Sequence, residues 1–316
     1  MDREVRVRGA LADMLDGIEM TPEEIAALAS RAREAAYWAA LAPDLPIGEP
    51  APPDAGVDDD RASVIAAQLR RDRYFKTDRI LSQAALATLN RAVDAVQADG
   101  WPPVFALVYD CLWTCARHPV ISRVAAAHLG ANYRQIPHVW VHVVPARAGA
   151  LGWMPHFDGL RPRRLTVWIA LTDATVDNGC MHIISPDSLP ESFRTMDVEA
   201  TIVMRDVQRA MHATRALPVP AGAMLGWDFD VLHWGGRAAA PHAERRSISL
   251  EFLAGDETPR SDEDSLIDPA ASLPSFAARL SVIARALQAY AAREASLRRF
   301  RALVPKLLDS IASLNG

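Results

Sequence analysis

An antiparallel β-core with helices before and after it is the fold class that this sequence predicts, on three observations. Between about residues 134 and 256, short β-branched and aromatic runs alternate with Gly, Pro, Asp and Asn. That is the texture of an antiparallel sandwich or barrel. Ahead of residue 134, apolar residues recur at helical spacing between capping signals. From Leu273 onward the helical period returns. The expected organisation is a mainly β core at 134–256, a helical N-terminal region at 1–133 packed on it, and C-terminal helices at 257–316.

The first helix is expected from Thr21, which can cap it; Pro22 suits the first helical position and Glu23 and Glu24 the first turn. It ends at Leu41-Ala42-Pro43. A stretch rich in Pro and Asp near 42–60 reads as an extended linker on the surface. A second helix through LSQAALATLNRAVDAVQADG stops at Gly100, which suits the left-handed position after a helix. A third covers VYDCLWTCARHPVISRVAAAHLG with a break near Pro119. The strand candidates are RQIPHVWVHVVPAR, RLTVWIALTDA, GCMHIIS, GAMLGWDF and RRSISLEFLAG. No internal repeat is visible.

Bulk properties narrow the function classes. The 316 residues carry a net charge of −5, which offers no general attraction to nucleic acid or to anionic membranes. No window approaches the roughly 18 uninterrupted apolar residues of a membrane helix, and MDREVRVRGA lacks the apolar stretch of a signal peptide. The three cysteines, Cys111, Cys115 and Cys180, form no CxxC, which favours reduced thiols and a cytoplasmic setting. Cys111 and Cys115 lie four apart on an expected helix and read as core packing.

The chemistry starts at GWMPHFDG, residues 152–159. On a strand, residues two apart share a face, so His156 and Asp158 would present an imidazole and a carboxylate together. A third donor in a comparable context is His233, reached through GAMLGWDFDVLHWGG. Two imidazoles and one carboxylate on one side of an ion, with the remaining positions open, suit non-haem Fe(II). In RRSISLEF, Arg245, Ser247 and Ser249 share one strand face. An arginine inside a barrel is costly unless it meets an anion, and its planar fork grips a carboxylate at two points.

These pieces together resemble the phytanoyl-CoA dioxygenase-like branch of the Fe(II)/2-oxoglutarate-dependent oxygenases. The resemblance runs from about 134 to 254 and rests on HFD, LTVWIALTDATVDNGCMHIISPDS, GAMLGWDFDVLHWGG and ERRSISLEF, in that order. It implies a double-stranded β-helix, the jelly-roll or cupin-like barrel. It puts the iron ligands on His156, Asp158 and His233, and the 2-oxoglutarate-binding arginine on Arg245, with Arg246 as the other register. Ser247 would assist at the far carboxylate, and Trp168 falls where some members carry a tryptophan beside the cosubstrate. The turn Asn178-Gly179-Cys180 matches a family element, whereas Ser185-Pro186-Asp187-Ser188 departs from the usual PGSH and leaves the role of 184–188 open. The implied reaction consumes O2 and 2-oxoglutarate, yields succinate and CO2, and hydroxylates an unactivated C–H bond of a small molecule. Asp158 stands where halogenases of the superfamily carry a small residue.

Other polar residues read as follows. His142, on a strand face with His138 and Trp140, is a candidate for contact with cosubstrate or substrate beside the plainer reading of a barrel-wall histidine. Arg161, Arg163 and Arg164 would lie in a loop near the mouth. Asp228 and Asp230 are candidates to orient the ligand histidines, while Trp153 and Trp227 read as packing. His182 and His242 are set aside as ligands. The substrate is left open among acyl thioesters, amino-acid derivatives and natural-product intermediates, and a homodimer through the C-terminal helices is possible. Two rivals use the same barrel: a cupin-like metal-binding isomerase or binding module, and a non-catalytic scaffold. The first has no use for a carboxylate clamp at Arg245 or for Trp168, and the intact ligand set of His156, Asp158 and His233 argues against the second.

Overall fold

The structure is a computed structural model that describes residues 20–48, 59–159, 163–194, 204–239, 244–261, 263, 266–291 and 294–312. Helices α1 (Pro22–Arg33) and α2 (Ala35–Leu41) follow the Thr21 cap, whose hydroxyl accepts from Glu24 N while Glu24 reaches back to Thr21 N. Helix α3 (Asp59–Asp72), concealed in the sequence by its acidic start, leads into β1 (Tyr74–Arg79). Helices α4 (Gln83–Ala98), α5 (Asp110–Ala116) and α6 (Pro119–Leu129) come next. Ser82 caps α4, and Gly100 and Gly130 take positive φ after α4 and α6.

The strands are β2 (Arg134–Gln135), β3 (Trp140–Val144), β4 (Arg164–Ala170), β5 (Met181–Ile184), β6 (Arg215–Leu217), β7 (Ala223–Asp228), β8 (Leu232–Gly235) and β9 (Arg245–Leu253). Short helices α7 (Glu191–Arg194) and α8 (Met204–Ala213) fall between β5 and β6, and α9 (Phe276–Tyr290) and α10 (Val304–Ala312) close the chain around a 3-10 turn at Ala295–Leu303. The fold mixes helix with two antiparallel sheets. The larger sheet runs β1-β7-β4-β9, with β2 and β3 both paired to the far edge of β9; the smaller runs β6-β5-β8.

Strand alternation decides what faces the site. On β4, Leu165, Val167 and Ile169 pack outward in one apolar cluster with residues of α4, α6 and α9, such as Val93, Val124 and Ile283. Their alternates Trp168 and Ala170 join Leu225 and Trp227 of β7 in a second cluster with Met181 and Ile183 of the smaller sheet. The large sheet is thus covered by helices on one face and by the small sheet on the other. Strand β1 lies before residue 134 yet forms an edge of the large sheet, seated by its buried Phe75: a Cβ on Gly226 would lie 2.2 Å from the Phe75 ring. Two expectations change in detail. His156 lies in an irregular segment with an isolated bridge to His233, and His233 belongs to a separate strand after the 229–231 turn.

Candidate active site

His156 and His233 face each other as a hydrogen-bonded backbone pair: His156 N donates to His233 O at 3.0 Å and His233 N to His156 O at 3.1 Å. Each ring turns its Nδ1 to a carbonyl two residues back, His156 to Met154 O at 2.8 Å and His233 to Val231 O at 3.1 Å. A carbonyl only accepts, so each Nδ1 carries a proton, and each Nε2 is left facing Asp158 as the ring atom that a metal ion would take. Asp158 Oδ1 lies 3.7 Å from His156 Nε2 and 3.4 Å from His233 Nε2. One donor atom from each of the three falls within 4.8 Å of the others, close enough to share one ion.

The carboxylate is steered from its other oxygen. Thr166 Oγ1 donates to Asp158 Oδ2 at 2.5 Å and Trp227 Nε1 at 2.9 Å, which leaves Oδ1 for the histidines. Burial alone would raise the Asp158 carboxyl; His233, His156 and the Thr166 hydroxyl outweigh it and hold the group below the usual carboxylate range.

The same cavity, about 520 Å³ including its opening to solvent, is lined by Arg245, Ser247, Ser249 and Glu251 of β9, by His142 of β3 and by Trp168 of β4. Arg245 is 1% exposed, yet its Nε and Nη1 have no hydrogen-bond partner, and neither has the Ser247 hydroxyl. Burial pushes the guanidinium down to about 10, and its Cζ stands 5.6 Å from the Trp168 ring. Room for it depends on two glycines in backbone contact. A Cβ on Gly152 would lie 2.6 Å from Gly235 Cα, and a Cβ on either glycine would lie 3.0 Å from Arg245 Nη2. Arg246 points the other way, to Asp94 at 2.6 Å and to Glu244. The cavity arginine is Arg245. His142 lies opposite Ser247 and is pushed down to about 3, first by burial and then by the Arg245 cation, so it is neutral.

Several expectations are corrected. Asp228 meets His128 at 2.9 Å and Arg73 at 3.0 Å, and Asp230 meets Arg73 at 2.9 Å; no hydrogen bond or ion pair joins either to a histidine of the cluster. The reason is parity, since Trp227 faces the cavity and its neighbour Asp228 therefore does not. Arg164 is no loop residue. It opens β4 fully buried, held by both oxygens of Glu263 at 2.6 and 2.7 Å. Arg163 pairs with Asp256 and Glu257, while Arg161 and His242 lie outside the described residues. His182 stacks on Trp234 at 5.6 Å, apart from the cluster. Burial pushes the Cys111 and Cys115 thiols up to about 12, consistent with packing. Sequence reasoning missed Thr166, the Trp227 contact, Glu251 and Tyr290. The alternation of Thr166 with Trp168 on one strand was the available signal for the first.

The sequence model of the family described as phytanoyl-CoA dioxygenase matches residues 19–247. The chain belongs to the phytanoyl-CoA dioxygenase family. No curated protein gives a significant sequence match to it. Among solved structures, this family member is similar to SnoN, titled a non-haem α-ketoglutarate-dependent epimerase from nogalamycin biosynthesis, at TM-score 0.52 and 22% identity over 68% of this chain and 94% of that one. ThoJ, titled a non-haem monooxygenase, matches at TM-score 0.54 and 18% identity over 78% and 99%. SnoK, titled a carbocyclase of the same dependence and biosynthesis, matches at 0.51 and 21% over 67% and 90%. At these identities the likeness is one of fold. No described helix is long and apolar enough to cross a membrane.

Proposed function

We propose that this family member is an Fe(II)- and 2-oxoglutarate-dependent dioxygenase that hydroxylates an unactivated C–H bond of a small molecule. In this reading the two sheets are the halves of a double-stranded β-helix, with residues 134–256 as the oxygenase core. One observation carries the proposal: a buried guanidinium and hydroxyl without partners share a cavity with a two-histidine, one-carboxylate cluster. Burying an unpaired arginine is expensive, and an anion repays that cost. A metal isomerase or a scaffold on the same barrel would have no use for it.

The fit to the cofactors is chemical. His156, Asp158 and His233 would hold Fe(II), whose preference is for such a mixed nitrogen and oxygen set with open positions. Arg245 and Ser247 would take the far carboxylate of 2-oxoglutarate through charge-assisted hydrogen bonds. Together, iron and cosubstrate supply the activation of O2, with 2-oxoglutarate leaving as succinate and CO2. The chain's own residues do the remaining work. Thr166 and Trp227 fix the Asp158 rotamer, the Met154 and Val231 carbonyls fix both imidazole tautomers, and Trp140, Trp168 and Trp227 exclude water from the cavity. The activities named for SnoN and SnoK support a natural-product intermediate as substrate and mark epimerisation and ring closure as other outcomes of the same machinery.

The test is succinate release together with anaerobic binding. Fe(II)-loaded protein should give a weak visible band on adding 2-oxoglutarate. His156→Ala, Asp158→Ala and His233→Ala should each abolish both band and succinate while keeping the native circular dichroism spectrum. Absence of 2-oxoglutarate binding in the metal-loaded wild type would overturn the reading.

A further inference from the structure

The cavity face of β9 reads Arg245, Ser247, Ser249, Glu251. Six residue steps separate its basic and acidic ends, about 20 Å along an extended strand. One end is cationic and suited to the cosubstrate. The other end carries an acid that the proposed chemistry does not use.

Glu251 is inside the fold, yet its side chain keeps 14% of its surface exposed, and that surface lines the cavity. Among the described residues its one ion-pair contact is Arg164 Nη1 at 3.3 Å, while the same guanidinium grips Glu263 at 2.6 and 2.7 Å. The carboxyl is therefore only partly compensated. Burial first, and the Asp158 charge second, push it up to about 8 against the pull of Arg164, so its charged form is favoured once a cation sits beside it. Desolvation costs an isolated carboxylate, and a cation arriving from the cavity supplies the missing charge. Beside it, Trp140 lies opposite Ser249 across the β3–β9 ladder. Trp140 packs on Tyr290 at the end of α9 with ring centroids 4.4 Å apart, and Tyr290 on Trp153 at 4.9 Å. Trp153 in turn lies 5.6 Å from His156. All three aromatic rings line the cavity, where Arg245 is the only arginine or lysine among the described residues. Aromatic faces attract cations and apolar rings alike, and repel anions.

We infer that the substrate enters with a basic amine directed at Glu251 and an apolar or aromatic body laid on Trp140, Trp153 and Tyr290. The inference rests on the oxygenase reading, because that reading assigns the Arg245 end to 2-oxoglutarate. It disfavours polyanionic substrates such as acyl-CoA thioesters despite the family's description. It also gives the C-terminal helix a share in specificity through Tyr290.

The experiment uses full-length protein loaded anaerobically with Fe(II) and 2-oxoglutarate, titrated calorimetrically with three probes of one ring system near neutral pH. These are 1-naphthylmethylamine, 1-naphthylmethanol and 1-naphthylacetate. The amine should bind about tenfold tighter than the alcohol, and the carboxylate should bind weakest. Glu251→Gln should bring amine and alcohol to equal affinity while leaving 2-oxoglutarate binding intact. Tyr290→Ala should weaken both by a similar factor. Glu251→Asp should keep part of the amine preference, which separates lost charge from lost fold. Equal binding of amine and alcohol to the wild type, or a preference that survives Glu251→Gln, would overturn the inference. Should the Fe(II)-loaded wild type fail to bind 2-oxoglutarate when it is titrated in before any probe, it is the oxygenase reading that falls.

Discussion

Arg164 and Arg245 are both buried in the large sheet, and they differ in what meets them. Arg164 has three close contacts, two to Glu263 and one to Glu251, and Glu263 in turn takes Arg260 at 2.6 Å. Arg245 has an aromatic ring, two glycines and no hydrogen bond at Nε or Nη1. Carboxylates meet the first cation at both Nη atoms and leave only its Nε without a partner, whereas no carboxylate meets the second, and a ligand from the cavity would supply one. A buried arginine that folding has paired serves the fold. One left unpaired at a cavity wall destabilises the empty protein and is best understood as part of a binding site.

The comparison breaks most visibly in stability. Glu263→Gln leaves Arg164 without its main partner in the interior, and breaking a buried pair costs about 3–5 kcal/mol. Urea denaturation should record that loss, and a loss below about 1 kcal/mol would remove the contrast, since surface pairs are worth that little. Arg245→Met should behave in the opposite way. The apo protein should be no less stable than wild type, because a costly cation becomes an apolar side chain of similar length. Affinity for 2-oxoglutarate should fall about 100-fold, the scale of two hydrogen bonds to a charged group. Calorimetry on the metal-loaded protein measures the second quantity and thermal melting the first. A fall in both together would make Arg245 a structural residue like Arg164.

Which parts were legible in advance follows from the same physics. Period-two alternation carries the assignment of Arg245 over Arg246, because adjacent strand residues face opposite ways and the outward one found Asp94 on α4. The histidine-aspartate-histidine grouping was legible because its spacing and glycine-bounded contexts survive local irregularity: HFD does not form a regular strand, yet its side chains still converge. Asp228 was misread because an acid near a ligand histidine in sequence looks like its partner, whereas the strand turns it toward Arg73 and His128. Strand β1, with the sequence YFKTDR between two helices, shows only two buried positions and no clear apolar alternation. Glu263 and Tyr290 reach the Arg164 cluster and the cavity from segments after the β-core, and no local pattern announces a contact across 99 residues, such as Arg164 with Glu263.

The smallest effect concerns the groups that hold Asp158 in place. Thr166→Val removes one donor to Oδ2 at nearly constant volume, and Trp227→Phe removes the other while keeping an aromatic ring in the buried position. Partners that orient a metal ligand typically contribute about 10–100-fold to metal affinity or activity. The two donors share one oxygen, so either alone can partly hold the rotamer, and each single change should sit near the lower bound of about tenfold. The double variant should exceed the product of the two, because Oδ2 then lies buried without any donor and the carboxylate is free to turn. Fe(II) affinity measured by competition with a chelator reads this directly, with 2-oxoglutarate affinity as the internal reference. Losses that multiply without excess would mean that Thr166 and Trp227 act separately, and that something other than their shared oxygen sets the orientation of Asp158.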